Sequence, residues 1–228
     1  MFFRLQPPMA ILSDANYELI ETYQVVKSHV GKLIASLKRH RNEREHYYAV
    51  RAKEPSRLTR VQRASRFIFL NRTCYNGLYR VNRQGRFNVP FGSYVRPTIC
   101  DEPTLRAATR ALRAATLRCA DFDDTLDLAS RGDLVYLDPP YHPLNVTSSF
   151  TSYFKDPFGE DEQRRLADTY RRLDRRGCQL MLSNSDTPLV RSLYSRYRLV
   201  PHQARRAISC KADGRGPVGE LLILNYGR

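Results

Sequence analysis

The sequence has no apolar run long enough to cross a membrane. A transmembrane helix needs about 20 predominantly apolar residues, and no stretch of this chain approaches that length. A secretory signal peptide is also missing from the N-terminal residues. We therefore expect a cytoplasmic protein that makes no membrane contact.

Cysteine and histidine carry no recognisable ligand spacing. The chain has five cysteines, an odd number without a C-x-x-C pair, and five histidines that are equally scattered. This pattern is typical of free thiols in a reducing compartment and argues against a disulfide-stapled domain or a zinc site. The sequence predicts no metal.

Acidic residues are too few to balance the basic ones. The chain has 38 lysines and arginines against 23 aspartates and glutamates, which gives a net charge of +15. Such a charge suits a polyanionic, phosphate-rich partner and a salt-sensitive encounter with it. Most of the basic residues are arginines, which form bidentate contacts with phosphates and bases, although the codon usage of a GC-rich genome explains this bias equally well.

The most informative motif is the tetrapeptide Asp138-Pro139-Pro140-Tyr141. It follows the apolar run Leu134 to Leu137, which predicts a buried strand because turn-forming residues bound it on both sides. The motif then lies at the carboxyl end of a strand, where ligands bind in open α/β sheets. Two prolines hold such a loop stiffly. The alternative is an ordinary strand-terminating turn.

The residue types of this loop suit the methylation of an exocyclic amine. The lone pair of an adenine or cytosine amino group is delocalised into the ring, so the nitrogen is a poor nucleophile. If the Asp138 carboxylate and the Pro139 carbonyl each accept one N–H, the nitrogen becomes more tetrahedral and can attack a methyl donor in line. Tyr141 would stack on the base.

A second informative segment extends from Asn71 to Tyr94. It mixes aromatic residues, asparagine, glycine and arginine without helical or strand periodicity. Arginine binds guanine and asparagine binds adenine through paired hydrogen bonds, and a tyrosine can wedge between bases. The segment therefore has the composition of a surface that reads nucleic acid. A glycine-rich hairpin whose aromatic residues pack on the core is the alternative.

With both segments considered together, the chain resembles the Dam-type, D12 class adenine-N6 DNA methyltransferases. The resemblance begins at about Ile11 and rests on the blocks ILSDANYELIETYQVVK, LNRTCYNGLYR with GRFNVPFGSY, DLVYLDPPY, LMLSNSD and ELLILNY. It implies a Rossmann-like α/β methyltransferase sheet, mainly parallel, with an inserted, mostly helical DNA-recognition domain. It also implies a cytoplasmic, bacterial or phage-encoded, monomeric enzyme of DNA methylation and restriction–modification.

The resemblance assigns roles to individual residues. The implied reaction transfers a methyl group from S-adenosylmethionine to a flipped adenine in double-stranded DNA, usually at GATC. The implied catalytic loop is Asp138, Pro139, Pro140 and Tyr141. The residues implied to contact the cofactor are Asp14 at the ribose hydroxyls, Asp121 and Phe122 at the adenine, and Asp138. The residues implied to contact DNA are Tyr75 as an intercalating wedge, Asn76 and Leu78 as base contacts, Arg80 as the guanine reader, and Pro90 at a further base edge.

The N-terminus departs from the family pattern. Members begin with a lysine-containing segment and a Phe-x-Gly-x-Gly loop around the methionine part of the cofactor, whereas the first glycine here is Gly31, in a predicted helix. Three explanations compete: a truncated or misassigned start, a chain cut for another reason, and a catalytically inactive remnant that binds DNA. Because the catalytic and recognition blocks are intact, we favour the first.

Alternating strands and helices predict the mainly parallel sheet independently. The predicted strands are 10–13, 117–122, 134–137, 179–184 and 220–226, and the predicted helices are 16–40, 58–71, 101–115, 161–176 and 188–197. We expect residues 1–40 to form the first, incomplete part of the methyltransferase domain, 41–112 the DNA target-recognition domain, and 113–228 the catalytic part. By the resemblance, residues 146–154 form a mobile loop over the flipped base; a plain surface loop is the alternative.

Overall fold

A computed structural model describes residues 1–82, 84–143, 158–205 and 217–227 of the chain. The predicted loop at 146–154 lies outside these residues. The chain divides into two compact units, Met1–Phe122 and Asp123–Arg228. The predicted division into 1–40, 41–112 and 113–228 stays a prediction.

The first unit contains a pair of parallel strands and a group of helices. Its elements are α1 (Phe2–Leu5), β1 (Ala10–Asp14), α2 (Tyr17–Leu37), α3 (Arg44–Ala52), α4 (Arg60–Thr73), α5 (Glu102–Leu112) and β2 (Ala115–Cys119). Strands β1 and β2 pair in register from Ala10 opposite Ala115 to Asp14 opposite Cys119. Their carboxyl ends therefore lie at one edge.

Side-chain caps fix where the helices of the first unit begin. The Asn16 side chain accepts the Leu19 N–H at 3.2 Å and starts α2 directly after β1. Thr59 and Gln62 form a capping box at the start of α4, which satisfies two backbone donors that a helix start leaves free. These helices pack around a first core of Val25, Val26, Leu33, Leu37, Ala64, Leu112 and Ala115. The predicted helices at 16–40, 58–71 and 101–115 are thus confirmed within a few residues.

After α4, residues 74–82 and 84–92 return on themselves as a short hairpin, which we call the recognition hairpin after its predicted role. Antiparallel bridges join Cys74 to Phe91 and Val81 to Phe87. Some of its apolar side chains belong to a second core, made of Tyr47, Val50, Phe69, Leu70, Cys74, Phe87 and Val89. The Tyr47 hydroxyl donates to the Val89 carbonyl at 2.8 Å, so the hairpin is fastened to α3 as well as to α4.

Gly92 allows the hairpin to return close to α4. An added Cβ would lie 2.7 Å from the Cys74 carbonyl oxygen and 2.9 Å from its carbon, and neither backbone atom can rotate away. We expect Gly92→Ala to lower the free energy of unfolding by about 1–3 kcal/mol, as overpacking does. Denaturant titration followed by circular dichroism measures the change.

The control for this substitution is Gly31→Ala. Nothing lies within 4 Å of a Cβ built at Gly31, and this glycine lies inside α2, where alanine is favoured by about 0.5–1 kcal/mol. The two substitutions should therefore change stability in opposite directions. A neutral or stabilising Gly92→Ala would contradict the close approach.

The second unit is a four-stranded sheet with helices. After α6 (Phe122–Leu126), which begins at the unit boundary, come β3 (Leu134–Leu137), α7 (Glu160–Arg176), β4 (Gln179–Ser185), α8 (Pro188–Leu193), β5 (Arg198–Arg205) and β6 (Pro217–Leu224). The strand order is β3-β4-β6-β5. Strands β3 and β4 are parallel, and β6 runs antiparallel to both of its neighbours.

The predicted α/β class is confirmed, with one strand missed. Strand β5 was not predicted because Pro201 interrupts its sequence, and proline within a strand is tolerated at a sheet edge. In this sheet β5 occupies that edge position. Within the residues that the structure describes, no helix has both the length and the apolar character of a membrane span.

Candidate functional site

The Asp-Pro-Pro-Tyr loop lies at the carboxyl end of the parallel pair β3–β4. Leu137 is opposite Leu182 in the register, so the next residue, Asp138, emerges beside Ser183. The Ser183 hydroxyl donates to Asp138 Oδ1 at 2.6 Å, and the Tyr136 hydroxyl lies 3.1 Å from Ser183 Oγ. Asp138 itself is exposed. The carboxylate is therefore held at one oxygen and open to a ligand.

Two fully buried amides hold the backbone of the same loop. The Gln163 side chain, on α7, donates to the Pro140 carbonyl at 2.9 Å, and the His142 N–H donates to Asn184 Oδ1 at 2.9 Å. Asn184 Nδ2 in turn donates to Gln163 Oε1 at 3.0 Å. The backbone is thus fixed on both sides of Tyr141, which stabilises one loop conformation.

Sequence reasoning missed these supporting residues, although a signal for each was present. Gln163 lies on the stripe of α7 that also buries Leu166, Tyr170 and Leu173. A polar residue in an apolar stripe needs hydrogen-bond partners. Likewise Ser183 and Asn184 extend an apolar strand with polar residues that the structure buries. Such residues, next to a loop that is predicted to be catalytic, are candidates for its support.

Tyr141 is an exposed residue whose phenol is partly desolvated. Burial raises the pKa of Tyr141; a hydrogen bond to Ser183 works against this rise, and the charge of Asp138 adds to it. The phenol therefore stays protonated at neutral pH. The side chain is 38% exposed, so its ring is accessible for stacking on a planar ligand. Pro139 is half-buried beside it.

Three of the four residues predicted to contact the cofactor lie at one edge of the first unit, whereas the fourth, Asp138, belongs to the second unit. Asp14 ends β1, and Asp121 and Phe122 follow β2. The Ala120 N–H donates to the Asp14 carbonyl at 3.3 Å, which joins the two strand ends. Asp14 Oδ1 accepts the Asn16 N–H at 2.7 Å. Burial raises the pKa of Asp14, and this hydrogen bond partly offsets the rise.

The recognition hairpin presents several of its predicted contacts to solvent. Tyr75 is 41% exposed, and its N–H donates to the Pro90 carbonyl at 2.9 Å, so the two residues are neighbours. Arg80 and Pro90 are also exposed, whereas Asn76 and Leu78 are half-buried. Asn76 has a positive φ of 53°, a conformation that asparagine tolerates better than most residues.

A side-chain partner orients Arg80. Its Nε donates to Asn88 Oδ1 at 2.8 Å, and the Asn88 N–H donates to the Arg80 carbonyl at 3.1 Å. This contact leaves the terminal nitrogens of the exposed guanidinium as donors for a ligand. Sequence reasoning did not single out Asn88.

Another hairpin residue points towards the protein. The Tyr79 hydroxyl donates to Glu18 Oε2 at 3.0 Å, and Arg66 Nη1 lies 3.7 Å from Glu18 Oε1. Burial raises the pKa of Tyr79, and the Glu18 charge adds to the rise. Tyr79 is therefore an anchor that ties the hairpin to the first turn of α2.

An α/β fold with a strand-terminating Asp-Pro-Pro-Tyr loop and an arginine-bearing hairpin defines a class of base-modifying enzymes. The chain belongs to the D12 class N6 adenine-specific DNA methyltransferases, a family whose profile matches residues 1–208. The family recognised from the sequence and the assignment as a DNA methyltransferase are both confirmed.

Several named proteins are similar over nearly the whole chain. The Type II methyltransferase M.MjaIII of Methanocaldococcus jannaschii is 44% identical, over 99% of this chain and 84% of that protein. The Type II methyltransferase M1.LlaDCHI of Lactococcus lactis subsp. cremoris is 37% identical, over 100% and 83%. The DNA adenine methylase of Serratia marcescens is 37% identical, over 94% and 81%.

Proposed function

We propose that this enzyme transfers a methyl group from S-adenosylmethionine to N6 of an adenine flipped out of duplex DNA. The observation that carries the proposal is the exposed Asp138 carboxylate, which Ser183 holds at one oxygen at a strand end. Flipping is required because N6 inside a duplex cannot meet both a carboxylate and a methyl donor. We further propose that the enzyme acts as a cytoplasmic monomer.

The loop would activate the amine by accepting its hydrogens. Asp138 accepts one N–H and the Pro139 carbonyl accepts the other, so that the lone pair leaves the plane of the ring and attacks in line. S-adenosylmethionine supplies an electrophilic methyl group on sulfur. As the N–C bond forms, the S–C bond breaks and S-adenosylhomocysteine leaves; the Asp138 carboxylate stabilises the positive charge that develops on N6, and the proton that N6 then loses passes to solvent. Tyr141 stacks on the flipped base.

The end of β1 fits a ligand that carries hydroxyl groups. One oxygen of Asp14 accepts the Asn16 N–H, and within the described ranges the other oxygen accepts no side-chain or backbone hydrogen bond. A carboxylate in this state accepts hydrogen bonds from a ribose diol. We propose that Asp14 binds the ribose of S-adenosylmethionine, and that Asp121 and Phe122, at the same edge, contact its adenine.

Replacing Asp14 by alanine should weaken cofactor binding. Hydrogen bonds to a charged group contribute about 1.5–3 kcal/mol, so the dissociation constant for S-adenosylmethionine should rise about tenfold to a hundredfold. Isothermal titration calorimetry measures it. Glu45→Ala, at an exposed position of α3, is the control. Equal affinities of the two variants would remove Asp14 from the cofactor site.

Replacing Arg80 by alanine should relax the choice of one base pair. A guanidinium bound to guanine contributes about 1–3 kcal/mol of discrimination. Fluorescence anisotropy with specific and scrambled duplexes at one fixed salt concentration measures the change. Arg86→Ala is the control because Arg86 is an exposed arginine of the same hairpin. Equal losses on both duplexes would show that Arg80 contacts phosphate only.

The proposed function is tested by mass spectrometry of digested DNA after incubation with S-adenosylmethionine. We propose GATC as the first site, and we expect N6-methyladenine in a GATC duplex but not in the same duplex already methylated at that adenine. A panel of duplexes of random sequence covers other sites. Binding to DNA without any N6-methyladenine in the panel would contradict the proposal.

A further inference from the structure

Three polar side chains form a continuous row on one face of the β3–β4 pair. Tyr136 and Asp138 are two residues apart along β3 and its continuation, so their side chains point to the same face. The register places Ser183 of β4 beside Asp138. Ser183 Oγ lies 2.6 Å from Asp138 Oδ1 and 3.1 Å from the Tyr136 hydroxyl. The serine therefore joins the other two.

Hydrogen counting gives this row a direction. A carboxylate only accepts hydrogen bonds, and a serine hydroxyl has one hydrogen. Ser183 must therefore donate to Asp138, and the Tyr136 hydroxyl must donate to Ser183. The row runs from Tyr136 through Ser183 to Asp138, and Tyr141 also hydrogen-bonds the side chain of Ser183.

The consequence for Asp138 is that its two oxygens differ. Oδ1 accepts the Ser183 hydrogen, while Oδ2 accepts none from the side chains or backbone that the structure describes. Ser183 is buried, and Asp138 is exposed. A buried donor thus holds one oxygen of an exposed carboxylate, as a positioned acceptor requires.

We propose that Ser183 is a positioning residue for methyl transfer, oriented by Tyr136. It holds Oδ1 of Asp138, so that Oδ2 is the oxygen that accepts the amino hydrogen of the target base. The inference rests on the proposed function, since it concerns the same carboxylate. It adds two residues, Ser183 and Tyr136, that act through Asp138 without touching the base.

The first test measures the single-turnover rate of methyl transfer at saturating DNA and S-adenosylmethionine. Ser183→Ala should lower this rate about tenfold to a hundredfold, since a hydrogen bond to a charged group is lost, with both dissociation constants within about twofold of wild type. Ser183→Thr keeps the hydroxyl and should restore most of the rate. An alanine variant as fast as wild type, or a threonine variant as slow as the alanine one, would overturn the proposal.

Ser185→Ala is the matched control. Ser185 lies on the same strand as Ser183 and is 3% exposed, against 9% for Ser183, so both substitutions remove a buried hydroxyl. Thermal unfolding of both variants separates stability from rate. If Ser185→Ala slows methyl transfer as much as Ser183→Ala, the loss of any buried hydroxyl from β4 slows the reaction, and the proposal fails.

A double-mutant cycle tests the role of Tyr136. Tyr136→Phe alone should lower the rate about threefold to tenfold, because Ser183 loses its orienting donor. In the Ser183→Ala background, Tyr136→Phe should have almost no effect on the rate, because Tyr136 acts on Asp138 only through the Ser183 hydroxyl. If the rate losses of the two single variants multiply in the double variant, Tyr136 does not act through Ser183 and the proposed row is wrong.

A measurement without catalysis separates this inference from the proposed function. The infrared band of the Asp138 carboxylate, identified by its loss in Asp138→Asn, should shift in Ser183→Ala and stay in place in Ser185→Ala. An unshifted band overturns the proposal. If the band shifts but wild type methylates no duplex, the proposed function fails while the Ser183 contact stands.

Discussion

Replacing Asp138 by alanine should slow methyl transfer by at least about 10²–10³-fold and leave DNA binding nearly unchanged. The residue is exposed, and its described hydrogen bond is the one from Ser183, so the fold does not depend on it. The target amine, however, would lose the acceptor that activates it. Removing one preorganised group from such a site costs about 10²–10³-fold in rate.

Two assays on the same preparation test this expectation. A tritiated methyl-transfer assay gives the rate, and fluorescence anisotropy at a fixed salt concentration gives DNA affinity, which depends strongly on salt. Asp161→Ala, at an exposed position in the first turn of α7, controls for the loss of one negative charge in the same unit. A rate within tenfold of wild type would remove Asp138 from the mechanism.

Replacing Gln163 by alanine should have the largest effect on stability. Its side chain is fully buried and serves both the Pro140 carbonyl and the Asn184 amide. Without it, the buried Asn184 amide and the partly buried Pro140 carbonyl each lose a partner, at about 1–3 kcal/mol for the buried group and less for the other. We therefore expect the free energy of unfolding to fall by about 2–4 kcal/mol, and methyl transfer to slow because the loop loses a support.

Urea titration followed by circular dichroism measures this loss. Gln179→Ala is the control, because Gln179 is an exposed glutamine on β4 in the same unit. Asn184→Ala should resemble Gln163→Ala, and the double variant should cost less than the sum, since the two amides share a hydrogen bond. A Gln163 variant as stable as the Gln179 variant would show that the buried amides do not stabilise the fold.

The sequence predicted the elements whose signals are local. Strand β3 was placed at its observed residues, Leu134–Leu137, because turn formers bound a short apolar run. Strand β5 was not predicted, because Pro201 within it argues against a strand and because its pairing with β6 is a long-range contact. The same limit applies to the site. The loop residues were found from their order along the chain, whereas Ser183 reaches Asp138 only through the register of two strands.

The recognition hairpin has features that each interpretation of its sequence expects. Phe87 and Val89 are buried in the second core, as the packing alternative expects. Tyr75 and Arg80 are exposed, as the DNA-reading interpretation expects. Composition alone cannot tell which aromatic residues pack in the core and which are exposed, because this depends on which side of the hairpin faces α3 and α4.

The contact between Tyr79 and Glu18 has a thermodynamic consequence. The hairpin is bonded to the first turn of α2, and that turn begins at Asn16, whose N–H binds Asp14. If Asp14 holds the cofactor and the hairpin holds DNA, the two ligands are linked through one helix start. Any factor by which DNA changes cofactor affinity must then equal the factor by which the cofactor changes DNA affinity. If DNA raises the affinity for the cofactor, the enzyme favours the complex with both ligands over the complex with DNA alone or with cofactor alone.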